Sequence, residues 1–357
     1  MKQSTAVDET KLNAFVEHAF YDLSAGYMGV MMSLGHKLGL YRAMAGKGPL
    51  SAEQVAQRAD CDARYVREWL NSQVAGHYLE YHADSRRYEM SPEQAVVLAD
   101  ENSPCFMPHA WNVPASMWFD EDKTLATFRD GSGLSWGEHE PRMSCGSAAF
   151  FRNGYQANIV QHWLPALTGV VDKLRTGINV ADVGCGHGHS TIIMAKAFPN
   201  SHFYGFDAHP DSIATARKNA VNAGVADRVQ FEIATATSLP NRQYGLLCYF
   251  DSLHDMGDPV GAAAHARTTL AEDASVMLVE PYAADKVQDN INPIGRLFYA
   301  ASTTICCAHS KSEPVGLALG AQAGELQLNQ VFADAGFQPL RRVVEAPFNL
   351  VFEAKAR

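Results

Sequence analysis

The chain of 357 residues is 47% hydrophobic and 19% charged, a globular balance with length enough for about two domains of roughly 150 residues each. Its 29 Lys and Arg against 39 Asp and Glu leave a formal net charge of −10, the wrong sign for a protein whose main ligand is a polyanion. No apolar run reaches the ~18 residues of a membrane-spanning helix, and the polar start MKQSTAVDETKLN is no secretory leader. Seven scattered cysteines without a C-x-x-C pair fit reduced thiols, so a soluble, cytoplasmic protein is expected.

Up to about residue 46 the pattern is helical. Val16, Ala19, Phe20 and Leu23 recur at helical spacing, and 27–44 is apolar enough to be mostly buried, with Met28, Met31 and Met32 as core or subunit-contact residues. Ser51 and Gln54 form a capping box ahead of a short helix over 52–59. Asp62 caps the next, which carries Tyr65, Val66, Trp69, Leu70 and Val74 on one face. Residues 78–80 and 87–90 read as a hairpin, followed by a second capping box, Ser91 with Gln94, with Pro92 at the first helical position. This is a winged-helix layout over 1–100. Ten Lys/Arg against thirteen Asp/Glu give that span −3 (10 − 13). Its second helix offers only Arg64 and Arg67 beside Asp62 and Glu68, where a DNA reader needs a basic stripe. A packing or dimerisation module is expected instead.

Residues 101–177 are rich in Pro, Gly and aromatics, among them Trp111, Trp118 and Trp136, and read as a helical connector lining a cleft. In it, 151–155 precede an amphipathic helix expected to end near Leu174, with Tyr155 in reach of a cofactor. From residue 178 strands (178–183, 202–206, 229–233, 246–250, 275–279) alternate with helices (189–198, 211–223, 259–270), and 337–343 with 348–353 form a closing antiparallel pair. Strict alternation implies a parallel sheet covered on both faces, binding ligands outside the carboxyl ends of its strands.

At the first such end stands Gly184-Cys185-Gly186-His187-Gly188. A dinucleotide fingerprint would need a small residue where His189 stands, and the Gly-Lys-Ser/Thr of a phosphate loop is absent. Asp182 sets a negative charge beside the turn, which repels a diphosphate and attracts an ammonium or sulfonium. Asp207, followed by Ala208, ends the second strand, where a carboxylate can accept from both hydroxyls of a ribose.

These residues resemble the class I S-adenosylmethionine-dependent methyltransferases: residues 180–188 look like their first motif and Asp207 like their ribose-binding acid. The resemblance implies an α/β, Rossmann-like domain over 178–357 with a mostly parallel seven-stranded sheet, preceded by the mainly helical winged-helix domain. S-adenosylmethionine is the implied cofactor, S-adenosylhomocysteine the product, and Asp182, Gly184, Cys185, Gly186 and Gly188 the holders of the methionine portion. After the third strand Thr235-Ala236 replace the family's Gly-Asp, so adenine is expected against backbone near Thr235 and Ala236 and apolar walls such as Phe250.

A second resemblance is to small-molecule O-methyltransferases of plants and bacteria, in the segment Phe250-Asp251-Ser252-Leu253-His254-Asp255-Met256. Bacterial winged-helix methyltransferases share Pro293-Ile294-Gly295-Arg296, residues 319–325 and Pro347-Phe348-Asn349-Leu350. The likeness implies His254 as general base, and an imidazole with an ordinary pKa near 6.5 suits that role. The bland alternative for His254 is a local helix-start hydrogen bond. Glu280, ending the fifth strand, is placed to orient the ring. Arg296, Tyr299, Ser302, Thr303, Cys306 and His309 fit an acceptor pocket, with Leu297, Phe298, Ala301 and Ile305 buried behind them. No metal is expected: zinc spacings are missing, and Asp251, Asp255 and Asp258 are the only dense acidic group. The sequence thus points to methylation at oxygen of a small apolar or aromatic molecule by a homodimer joined through its N-terminal domain, without membrane or nucleic acid. The rival is a winged-helix regulator that senses S-adenosylmethionine without turnover.

Overall fold

The computed structural model describes residues 7–356, which divide into two compact units between Asn112 and Val113. The connector expected over 101–177 is thereby split between them.

In the first unit, α1 (Glu9–Lys37) starts at Asp8, whose carboxylate accepts from the N–H groups of Thr10 and Lys11. There follow α2 (Leu40–Met44), α3 (Ala52–Ala59), α4 (Ala63–Ala75), an antiparallel hairpin of β1 (Glu80–His82) and β2 (Arg87–Glu89), and α5 (Pro92–Leu98). Both expected capping boxes form, at Ser51 and Ser91, and Asp62 caps α4. Val55, Val66, Trp69, Leu70 and Tyr41 fill the core. There the Tyr41 hydroxyl donates to Gln73 Oε1 at 2.8 Å and the Trp69 indole to the Met31 carbonyl at 2.9 Å.

Three expectations are corrected here. Tyr65 is 81% exposed, and Gln73 is the buried residue on α4 in its stead. The first hairpin strand begins at Glu80 because Tyr78 still bonds back to the Gln73 carbonyl and Leu79 turns into the core. The apolar face of α1 is mostly outside: only Gly29, Met32 and Gly35 are buried, while Phe15, Phe20 and Tyr27 are exposed. The C-terminal turns of α1 alone reach the core, and Gly35 lies so close to the Trp69 and Tyr41 rings that a Cβ would sit 2.4 Å from the indole.

The second unit is built on seven strands: β3 (Asn179–Val183), β4 (His202–Asp207), β5 (Val229–Ile233), β6 (Tyr244–Phe250), β7 (Leu270–Pro281), β8 (Arg341–Glu345) and β9 (Asn349–Ala354). Their spatial order is β5-β4-β3-β6-β7-β9-β8, parallel except for β9, which runs antiparallel to both neighbours. This is the expected mostly parallel sheet of the class I methyltransferase fold. Two apolar layers cover its faces, one around Trp163, Phe203 and Ile213, the other around Phe206, Tyr244 and Phe332, and β6 is buried along its whole length. Chain order reverses between β3 and β6, which places the ligand crevice at their carboxyl ends.

The helix expected to follow residues 151–155 is different. Those residues lie inside a helix, Arg142–Asn158, which widens into a π turn at Ile159–Trp163. The helical path continues through Leu164–Ala166 with Pro165 inside it, is left at the extended Leu167, and after the left-handed Gly169 a separate helix, Val170–Thr176, leads into the sheet. Ahead of the last strands, Pro293–Thr304 and Cys306–Ser312 are distinct helices broken at Ile305; Phe298 and Ser302 face inward, whereas Leu297, expected inside, is exposed. Among the described residues no helix is long and apolar enough to cross a membrane.

The Ser51 cap satisfies the Gln54 N–H that starts α3. Ser51→Ala is expected to lower the stability of the first unit by about 1 kcal/mol, read as an earlier transition in thermal unfolding followed by circular dichroism.

Candidate functional site

The loop after β3 hangs from β4. The N–H groups of Gly184 and Cys185 both donate to the Phe206 carbonyl, at 2.8 and 3.0 Å. The Gly186 N–H donates to Asp207 Oδ2 at 2.8 Å, and the other Asp207 oxygen accepts the His209 N–H at 2.8 Å. Asp207 therefore fixes the loop while each of its oxygens keeps a lone pair for a further donor. The loop glycines differ in what they admit. A Cβ on Gly188 (φ +77) would lie 2.4 Å from the Phe231 ring, and one on Gly184 2.5 Å from Ser252 Cβ. Gly186 (φ +51) has nothing within 4 Å of that position, so it alone faces open space where a ligand can approach the backbone.

Behind the loop, Asp182 is fully buried. Its Oδ2 accepts the hydroxyls of Ser190 and Thr191, both at 2.6 Å, while Oδ1 has no partner among the described residues. Burial pushes its carboxyl up to about 6 despite those two hydrogen bonds. Next to it, at the end of β6, Asp251 holds a left-handed backbone (φ +48). It accepts the Tyr155 hydroxyl and the Asn349 side-chain amide, each at 2.7 Å. Desolvation, aided by the Glu280 charge, lifts its carboxyl to about 7. Tyr155 stands in an aromatic cluster with Phe151, Trp163 and Phe250, and burial holds its phenol well above the usual range.

At the end of β7, Glu280 meets His254 from the turn Leu253–Asp255 that follows β6, the two being 2% and 3% exposed. His254 Nδ1 is 2.5 Å from Glu280 Oε2, and Nε2 is 3.1 Å from Asp255 Oδ1. Burial alone would lower the pKa of this imidazole, yet the Glu280 and Asp255 carboxylates outweigh it and hold the value well above 6.5. Cys306 closes the group, its thiol pushed up to about 12 by burial and by Asp255. Asp182 Oδ1 and Glu280 Oε1, both buried, lack hydrogen-bond partners among the described residues. Buried carboxylate oxygens left unpaired are costly. Such a lining fits a ligand that brings positive charge, a sulfonium and an ammonium included.

The structure therefore gathers Asp182, Gly184, Cys185, Gly186, Gly188 and Asp207 at one edge of the crevice and Tyr155, Phe250, His254 and Glu280 at the strand ends beside it. Ala208 is exposed immediately after Asp207. Thr235 is exposed too, its hydroxyl 2.8 Å from Ser238 Oγ within a local turn, and Ala236 is half-buried. The three acids singled out as a dense group do not converge: Asp251 is taken by Tyr155 and Asn349, and Asp258 caps the helix Pro259–Thr269 through the Gly261 N–H. Sequence reasoning missed Ser190 and Thr191 as the clamps on Asp182, and Asp251 as a partner of Tyr155 and Asn349. Asn349 does sit in the quoted Pro347–Leu350 segment, which was the available signal.

Comparison with known proteins finds matches in both parts of the chain. Residues 26–100 match the family model of the Rv2258c-like winged HTH domain, and residues 174–336 that of a methyltransferase domain. The two matches fall in different parts of the chain and do not overlap. Over 87 residues, 24% of its length, the chain is 36% identical to the 27-O-demethylrifamycin SV methyltransferase of Amycolatopsis mediterranei. Over 108 residues, 29% of the chain, it is 30% identical to the tRNA1(Val) (adenine(37)-N6)-methyltransferase of Pedobacter heparinus. The matches span 32% and 45% of those relatives' own lengths. Among solved structures, the mitomycin 7-O-methyltransferase MmcR superposes with a TM-score of 0.70 at 16% identity, covering 97% of this chain and 100% of that one. Human N-acetylserotonin methyltransferase in complex with SAM gives 0.68 at 16%, covering 99% of each chain. PigF with SAH gives 0.71 at 16%, covering 95% and 98%. These likenesses establish the shared fold.

The raised carboxyls of the site carry a stability signature. A carboxyl whose folded pKa lies above its unfolded 3.8 binds its proton more tightly when folded. It therefore stabilises the ligand-free protein at low pH, and that stability is lost as pH rises toward about 7. Asp251→Asn should remove this slope: the variant is expected to gain on the order of 1–3 kcal/mol at about pH 7.5 and to differ little near pH 4. Denaturant unfolding of ligand-free protein at the two pH values checks it, and equal differences at both would refute the account.

Proposed function

We propose that this protein is an S-adenosylmethionine-dependent methyltransferase that methylates a hydroxyl of a small apolar or aromatic molecule, with His254 as general base. The observation that carries the reading is the cluster of buried carboxyl groups at the carboxyl ends of β3, β6 and β7, with oxygens of Asp182 and Glu280 lacking hydrogen-bond partners among the described residues, beside the open face of Gly186. The methyltransferase-domain match and the O-methyltransferases among the structural neighbours support it.

When bound, the cofactor supplies an electrophilic methyl group on sulfur. Asp207 is assigned the two ribose hydroxyls, through the lone pairs its backbone contacts leave over. Gly184, Cys185, Gly186 and Gly188 line the methionine portion, with Asp182 the counter-charge for its ammonium and Tyr155 closing the far side. Ala208, Thr235, Ala236 and the Phe250 ring are assigned to the adenosine. His254 Nε2 receives the acceptor's hydroxyl proton, the acceptor oxygen taking the place now held by Asp255 at 3.1 Å. Glu280 keeps Nδ1–H fixed and stabilises the imidazolium that results. Holding the acceptor in line with the methyl group is the larger part of such catalysis.

The regulator reading loses ground at α4, where Arg64 is paired with Glu68 and Arg67 with Glu53, so the helix presents little uncompensated charge to DNA. Homodimerisation through the N-terminal domain is part of the proposal, supported by the exposed Val16, Phe20, Leu23, Tyr27, Val30 and Leu34, which share one face of α1; contiguous exposed apolar surface marks association sites. A cytoplasmic location is supported by seven cysteines that all remain free thiols.

Calorimetry with S-adenosylhomocysteine should show one site per chain, weakened at least about tenfold by Asp207→Ala, the loss of one or two good hydrogen bonds. No heat with native protein would overturn the cofactor reading. With an accepted phenol, His254→Gln is expected to lower kcat on the order of 10²-fold with cofactor affinity unchanged. Because its carboxylate neighbours raise the His254 pKa, the proton-accepting form is gained as pH rises, and the ascending limb of kcat against pH should lie above about 6.5. A limb below that value contradicts the assignment.

A further inference from the structure

His254, Asp255 and Cys306 meet in a way that the proposed proton transfer does not require. Their ligand-capable atoms all lie within 4.8 Å of one another, and all three residues are buried. Asp255 Oδ1 is 3.1 Å from the imidazole Nε2 in a buried ion pair, so a carboxylate oxygen already faces that nitrogen inside the group. The other imidazole nitrogen is already committed to Glu280 at 2.5 Å. A histidine with Nδ1–H on one carboxylate, Nε2 facing a second, and a thiol within the same group has the arrangement of a metal ligand with its outer-shell partner in place.

We propose that His254 Nε2, an Asp255 carboxylate oxygen and Cys306 Sγ form a binding site for zinc(II). One nitrogen, one oxygen and one sulfur ligand suit a borderline-soft dication, and three protein ligands leave a fourth position for water or the acceptor's oxygen. Charge closes as well: one thiolate and one carboxylate neutralise the dication, so no net charge is left buried in the inner shell. On binding, Cys306 surrenders its thiol proton and His254 any proton on Nε2; both go to solvent and nothing is oxidised or reduced. The other cluster of suitable groups, Glu80, His82 and Glu89, lacks these features. It lies at the surface of the hairpin, has no thiol, and its His82–Glu89 pair at 2.7 Å accounts for it.

The site has a consequence that rests on the base reading of His254. A metal on Nε2 uses the same lone pair that would take the acceptor's proton, so zinc and proton transfer exclude each other. One equivalent of zinc would then inhibit methyl transfer, and a chelator would reverse it.

Cobalt(II), a spectroscopic stand-in for zinc, separates the two ideas. Titration of metal-stripped full-length protein is expected to give one equivalent bound with a thiolate-to-cobalt charge-transfer band, displaced by zinc. Cys306→Ser should abolish the band, Cys307→Ser should leave it intact, and His254→Gln should abolish or shift it. Each variant is first checked for native circular dichroism. Absence of the band in native protein, or its persistence unchanged in a folded Cys306→Ser or His254→Gln variant, overturns the proposal. A band that behaves as expected while zinc leaves methyl transfer untouched upholds the site and removes the base assignment instead.

Discussion

The second unit is organised around the withdrawal of carboxylates from water at the ends of adjacent strands. Asp182, Asp251 and Glu280 close β3, β6 and β7 next to the point where chain order reverses. A sheet buried on both faces forces them into low dielectric, where an uncompensated anion is strongly disfavoured. The fold answers only in part. Ser190 and Thr191 serve one oxygen of Asp182, and Tyr155 and Asn349 serve Asp251, while oxygens of Asp182 and Glu280 stay unmatched. The ligand-free protein therefore carries a local electrostatic cost that a cationic ligand would relieve. Such sites give up stability for function.

Asp207 does the complementary work from the neighbouring strand. By accepting the Gly186 and His209 N–H groups it ties the glycine loop to the end of β4, so the loop is held before any ligand arrives. Packing enforces the same shape, since Phe231 leaves no room for a side chain at 188. Only Gly186 is left facing an opening. A preformed backbone cradle beside a desolvated anionic floor reduces the ordering cost of binding.

Much of this was legible in the sequence, for identifiable physical reasons. Strands β3 to β7 carry apolar, β-branched or aromatic runs, with Gly184, Asp207, Asp251 and Glu280 at the ends of four of them, and the capping residues Ser51, Asp62 and Ser91 act through hydrogen bonds to residues two or three positions away. Local signals of that kind survive without tertiary information. The misreadings arose where packing decides. The α1 stripe has the period of a buried helix, yet periodicity cannot say whether its cover is the same chain. Leu297 and Tyr65 fall on apolar faces that the unit leaves outside. The helix expected to run to residue 174 is broken at Leu167–Gly169, where the backbone turns extended and then left-handed at Gly169, whatever the apolar period around it. Cys306 was grouped with pocket residues by helical spacing alone; its approach to His254, across some fifty residues of chain, is set by the break at Ile305 and the packing of the helix that follows.

His254 shows why the same geometry serves two chemistries. Glu280 on Nδ1 fixes the tautomer that leaves Nε2 for its partner and makes that nitrogen a stronger electron-pair donor. A proton and a metal ion both profit from that polarisation. The selection between them falls to the other side of the ring, where Asp255 and Cys306 stand. For a base, a carboxylate 3.1 Å from Nε2 is a competitor that the acceptor hydroxyl must displace, and it raises the basicity of the ring as it does so. For a metal, the same carboxylate is a second ligand and the thiol a third. A base alone requires no thiol at this position, so Cys306 is the residue that distinguishes the two uses of the histidine.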